Sequence, residues 1–169
     1  MTATSDRLQE FFLKAARATY AANQGGTVRK GTLPGLPKSK VYQYRQDDLL
    51  YVDTYFTNGD LSGGQTVIWL TENPVWISQY QGWCAGDDKV VLDFLKRALL
   101  NAYATNEFIG GRGRREYSDA EVSHQYGRLT YRNDYLGSFE QGSGGEYIVA
   151  GGNLRVFWHR YQHLLLDVM

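Results

Sequence analysis

The segment Leu8–Asn23, LQEFFLKAARATYAAN, returns 83 residues later as Val91–Asn106, VLDFLKRALLNAYATN. Two further blocks keep the same order. Leu49–Phe56, LLYVDTYF, aligns with Leu129–Leu136, LTYRNDYL, at an offset of 80, and Gly63–Leu70 and Pro74–Gln81 align with Gly144–Gly151 and Arg155–Gln162 at an offset of 81. Self-similarity that holds order and spacing across three blocks marks a duplicated structural unit. The chain is expected to be a single domain over residues 1–169, made of two repeats at about 5–83 and about 87–165. One repeat alone would leave a sheet edge and an apolar face exposed.

Each repeat opens with an amphipathic helix. Leu8, Phe11, Phe12, Ala15 and Thr19 recur at helical spacing in the first, and Val91, Phe94, Leu95, Ala98, Leu99 and Ala102 in the second. Ser5 and Asp87 or Asp88 are the expected N-caps. The later blocks alternate as strands do, with turns at Asn58-Gly59, Glu72-Asn73 and Gly151-Gly152-Asn153. Such short connections make neighbouring strands antiparallel. The predicted fold class is α+β: an internally duplicated helix-plus-antiparallel-strands unit, with three main strands per repeat and a short extra strand near 41–45. Together these would form a pseudo-two-fold antiparallel sheet with both helices on one face. Leu49, Tyr51, Asp53 and Tyr55 share a strand face with matching counterparts Leu129, Tyr131, Asn133 and Tyr135, so this is the face expected to meet the helices.

Composition narrows the function classes. Eighteen Lys+Arg balance eighteen Asp+Glu, which argues against a general nucleic-acid or membrane-surface binder held by a positive field. A chain of 169 residues can bury a sizeable core without a metal or disulfide, and a single cysteine, Cys84, cannot form an intramolecular disulfide. No leader-like segment and no apolar run near membrane-spanning length is present, so a cytoplasmic location is expected. Thirteen Tyr, four Trp and seven Phe suit a half-buried pleated surface.

Candidate site residues fall into four groups. The matched tyrosines read as core rings with hydroxyls bonded at the rim, and Asp53, set between two of them, as a tyrosine-hydroxyl partner or a polar ligand contact. His124, His159 and His163 titrate near neutrality; His159 could meet Asp134 or Glu146 as an acid–base pair, while His163 is expected at the surface. Nothing has metal-ligand spacing, so no metal and no cofactor is expected. Trp69, Trp83 and Trp158 are unmatched between repeats and could line a cleft where the halves meet. The Gly-Gly basic loops, 25–31 and 110–115, could hold an anion through Arg112, Arg114 and Arg115, or stand as solvated loops. Residues 31–40 read as a surface arm or lid, and Cys84 as a buried thiol at the strand–helix link.

With LLYVDTYF, GGQTV and PVWISQYQG following the first helix, the chain resembles a bacterial domain-of-unknown-function family whose members read roughly LLYxDxYF, GxExV and PVWxMxYxG. The resemblance is strongest over residues 42–82, and Gln65 stands where Glu is common. Some members sit behind a helix-turn-helix domain, which implies a regulatory sensing or interaction role. The resemblance brings no catalytic residues with it.

The leading functional expectation is a non-catalytic module that binds a small molecule or a protein partner. The alternatives are an enzyme using His159 with a carboxylate, and a nucleotide or nucleic-acid binder through the Arg112–Arg115 loop. Nucleic acid is not favoured as a partner, and a homodimer is compatible with an aromatic-rich surface.

Overall fold

The computed structural model describes residues 4–22, 28–87, 89–123, 125–151 and 153–166. His124, Asp88, Gly152 and residues 25–27 of the first Gly-Gly loop lie outside them. Helix α1 (Ser5–Ala18) is capped by Thr4, whose hydroxyl accepts from the Arg7 amide, one residue before the expected cap. Ser5 instead donates to Glu140. Asp6 sits at the positive end of the helix dipole and Arg17 at the negative end. Arg17 also donates to Tyr103 O (3.0 Å) near the end of α2 (Lys89–Ala104) and to Asn106 Oδ1 (3.2 Å), tying one helix end to the other.

The strands are β1 (Lys40–Gln46), β2 (Leu49–Asn58), β3 (Leu61–Leu70), β4 (Asn73–Cys84), β5 (Glu116–Ser123), β6 (Gly127–Gly137), β7 (Gln141–Ala150) and β8 (Leu154–Leu165). They form one antiparallel sheet in the order β1-β2-β3-β4-β8-β7-β6-β5. Two meanders, each preceded by a helix, therefore meet at the β4–β8 seam. Four strands stand in each meander; three per repeat, with one short extra strand near 41–45 in the first, are the sequence expectation. β1 and the missed β5 are the two sheet edges, and their sequences, KVYQYRQ and EYSDAEVS, are polar as edges need to be.

Two-residue loops set the register of the first meander. Gln46 faces Leu49, Asn58 faces Leu61 and Leu70 faces Asn73, with Asp47, Gly59 and Thr71 at positive φ. The β3–β4 loop is thus Thr71-Glu72, one residue before the expected position. Residues 31–40 run along the β1 edge, where Gly31 exchanges backbone bonds with Val41 and the buried Ser39 hydroxyl accepts from the Leu33 amide.

Both helices cover one sheet face. The core joins Leu8, Phe11, Phe12 and Ala15 of α1 and Val91, Phe94, Leu95, Ala98 and Leu99 of α2 to Leu49, Tyr51, Ile68, Trp76, Tyr131, Ile148 and Phe157 of the sheet. Trp76 is fully buried, stacks on Phe139 and donates its indole N–H to Phe139 O at 2.9 Å. The opposite sheet face carries half-buried and exposed residues, with Trp83, Trp158 and Tyr147 directly opposed across β4, β8 and β7. No helix among the described residues is long and apolar enough to cross a membrane.

Candidate functional site

On the helix-covered face, one row of directly opposed residues crosses five strands: Ser62 on β3, Gly82 on β4, His159 on β8, Glu146 on β7 and Asn133 on β6. Strand neighbours in such a row face the same side, so their side chains can meet. The glycine sets the geometry. A Cβ on Gly82 would stand 1.8 Å from His159 Cδ2, so the imidazole lies across a strand that offers no side chain. Its Nε2 thereby reaches Ser62 Oγ at 3.2 Å, two strands away, while Nδ1 stands 3.2 Å from Glu146 Oε1.

Glu146 is buried and fully engaged. Arg112 donates to Oε1 through Nε (2.8 Å) and Nη2, and Tyr131 donates to Oε2 at 2.5 Å. Burial pushes this carboxyl up, but the Arg112 charge and hydrogen bonds, with His159 close by, outweigh it and hold the pKa at about 2. Burial takes His159 below the ordinary imidazole range, against the pull of Glu146, so the ring is neutral at pH 7. A neutral imidazole carries one N–H. Nδ1 makes no hydrogen bond, but the Glu146 charge beside it favours the proton there, which leaves Nε2 to accept from the Ser62 hydroxyl.

Beyond the Gly64–Tyr80–Tyr161 row, the next row on this face holds a second polar pair. The buried Asp53 accepts through Oδ1 from both Tyr80 Oη (2.6 Å) and Thr66 Oγ1 (3.0 Å). Burial raises its pKa, and the bonds from Tyr80 and Thr66 and the Arg112 charge oppose that rise. Its counterpart Asn133 accepts from Tyr161 Oη (2.6 Å) and donates to Ile109 O and Gly113 O. The loop from Ile109 to Gly113 therefore closes over β6.

Over β2, β3 and β4 a cavity of about 300 Å³ remains between sheet and helices. Tyr51, Tyr55, Tyr80 and Phe157 wall it from the sheet and Phe12, Tyr20 and Tyr103 from the helical side, while Asp53, Ser62, Arg112 and His159 supply polar atoms. Lys40 and Lys96 stand at its lining with their ammonium groups over the rings of Tyr55 and Tyr20, at 5.5 and 5.8 Å. Rings for packing and a few convergent polar groups are what small-molecule sites are built from.

The expected site residues separate accordingly. His159, Glu146, Asp53 and Arg112 come together. Asp134 does not: it is exposed, lies on β6, which does not border β8, and alternation turns it to the open sheet face. Trp69, Trp83 and Trp158 also sit on that open face, half-buried, so the expected aromatic cleft is instead a tyrosine cavity on the other side. The three arginines form no common patch. Gly110 and Gly111, at φ 67° and 69°, turn Arg112 inward, whereas Arg114 donates to Glu107 (3.0 Å) and the exposed Arg115 to Tyr135 O (3.4 Å). A side chain at Gly111 would meet Phe12 at 2.6 Å, so the turn and the helix contact both select glycine.

His163 is buried, correcting the surface expectation. β8 continues to Leu165 between β4 and β7, and the ring stacks on Trp76 with Nε2 2.7 Å from Ser138 O, to which it donates. Cys84 is buried at the end of β4 and lines the cavity. No group of three or more His, Cys, Asp or Glu among the described residues could hold a metal ion. Sequence reasoning missed Ser62, Gly82 and Thr66. Their signal is register alone, because each matters only through the residue opposite it.

Comparison with curated proteins and with solved structures finds no match. Residues 53–163, more than half of the chain and the span that contains Asp53, Ser62, Gly82, Arg112, Glu146 and His159, match the family described as Domain of unknown function (DUF5680), and the chain belongs to that family.

Proposed function

We propose that this protein is a small-molecule-binding module whose ligand occupies the cavity between the sheet and the two helices. The observation that carries this reading is a cavity of about 300 Å³ where tyrosine rings surround Asp53, Arg112 and His159, polar groups withdrawn from water. Proteins spend free energy to bury such groups, and a binding site is where that cost is commonly recovered. The ligand fitting this lining has a flat apolar body for the rings and a polar end for the Asp53–His159 floor. A regulatory role in a bacterial cell accompanies this reading, supported by the sequence resemblance.

The same reading takes the fold as a duplicated unit with pseudo-two-fold symmetry. Supporting it, Asp53 opposes Thr66 and Asn133 opposes Glu146, pairs that lie 80 residues apart, and at the seam Tyr80 opposes its own counterpart Tyr161. The halves then differ where it matters: one leaves a cavity, and in the other the loop from Ile109 to Gly113 bonds to Asn133.

A thermal-shift screen against nucleotides, sugars, amino acids and aromatic metabolites tests the reading. A ligand present at 100 times its dissociation constant adds about 2.7 kcal/mol to native stability. A saturable shift is expected from at least one class. A cooperative melt that no class moves would count against the cavity as a binding site.

A further inference from the structure

We infer that Ser62 and His159 form a nucleophile and general base that transfer the acyl group of a small carboxylic ester first to Ser62 and then to water. The inference rests on the cavity reading and names the substrate class of that same site. Three observations carry it. Ser62 Oγ is 3.2 Å from His159 Nε2, and both residues line the cavity. The Glu146 charge, 3.2 Å from Nδ1, favours the ring proton on Nδ1, so Nε2 is the acceptor that a serine nucleophile needs. Gly82 is bare where any side chain would displace the imidazole from Ser62.

The reaction balances with water as the only co-reactant. Ser62 Oγ bonds to the carbonyl carbon as its proton passes to His159 Nε2. The carbon–oxygen bond to the alcohol then breaks, and the alcohol leaves with that proton. Water next gives a proton to Nε2 and its oxygen to the acyl carbon, and Ser62 regains its proton as the acid departs. Glu146 acts as a positioning residue, holding the ring in the tautomer that leaves Nε2 open. Arg112 and Tyr131 keep the carboxylate in place.

The test uses p-nitrophenyl acetate with the full chain, S62A and H159Q, following nitrophenolate release and mapping acetyl groups by mass spectrometry. Acetylation of Ser62, or turnover that S62A abolishes, is expected. H159Q should slow the Ser62 reaction by about a hundredfold or more. Acetylated surface lysines, which do not depend on His159, serve as the internal control. S62A removes only a half-buried hydroxyl, so its result stands even if H159Q folds poorly. Release unchanged in S62A would overturn the inference. So would the absence of both Ser62 acetylation and S62A-dependent turnover in a protein that p-nitrophenol still stabilises saturably; that outcome leaves the cavity reading intact. Absence of both signals would remove the inference and weaken the cavity reading with it.

Discussion

The imidazole of His159 lies over the backbone of Gly82, so close that a Cβ there would stand 1.8 Å from His159 Cδ2 and 2.1 Å from Trp158 O. A ring held against one strand by the absence of a side chain on the next is specific to this register. Gly82→Ala is expected to cost about 1–3 kcal/mol, the usual range for overpacking. Gly145→Ala on β7, where the nearest atom would be at 3.6 Å, is expected to be near neutral. Urea denaturation of both variants checks the contrast, and equal costs would contradict it.

Glu146 and Arg112 form a buried ion pair, with the carboxylate side chain fully enclosed and the guanidinium largely so. Glu146→Gln leaves Arg112 without its counter-charge and is expected to cost about 3–5 kcal/mol. Replacing both, as in R112M/E146L, removes the stranded charge and should cost less than the sum of the single changes. A double-mutant cycle by chemical denaturation measures the coupling.

Stability should depend on pH in two opposed ways. Glu146 is held at about 2 against an ordinary 4.5, so the unfolded chain takes up its proton first. Its contribution is complete above about pH 4.5 and is lost as pH falls toward 2. His159 and His163, both lowered from 6.5 chiefly by burial, also favour the folded state above 6.5 and lose that contribution on acidification. Asp53 has the opposite sign: burial raises it above 3.8, so its contribution is lost as pH rises through the folded value. Asp53→Asn, which introduces the residue that aligns with it in sequence at Asn133, should therefore cost little at pH 7, with Tyr80 donating to the amide oxygen. Denaturation midpoints of the parent chain and D53N between pH 4 and 8 test the sign: D53N should gain on the parent as pH rises.

The tryptophans divide between the two sheet faces. Trp76→Ala is expected to cost about 3–5 kcal/mol, as other large buried aromatics do. Trp83→Ala, on the open face beside Trp158, should cost about 1 kcal/mol or less, the scale of a cross-strand pair. Acrylamide quenching should reach Trp69, Trp83 and Trp158 and spare Trp76.

Much of this architecture is legible in sequence, because period-2 and period-3.6 patterns report which face of an element is buried. The helices over 8–23 and 91–106 appear as α1 and α2 with ends moved by a few residues, and the Leu49–Tyr55 face does meet them. β5 was missed because EYSDAEVS, at the edge of the sheet, carries no apolar alternation. The site was half legible. His159, Glu146 and Asp53 stand out as polar residues on buried faces, whereas Arg112 stands out in sequence only as part of a basic loop, anion-holding or solvated. Its inward turn depends on two successive glycines at positive φ meeting Phe12, a tertiary fact. The tryptophans misled because an open sheet face tolerates a mismatch between the two aligned segments as readily as a binding site requires one.

The most direct test of the cavity is amide NMR of the protein titrated with whichever compound gives the largest saturable thermal shift. The account expects shift changes at Asp53, Thr66, Ser78, Gly111 and His159, on the helix-covered side, with Thr54, Gln65 and Gln79 on the other face unmoved. Changes centred on those open-face residues, or on Arg114 and Arg115, would place the ligand elsewhere and contradict it.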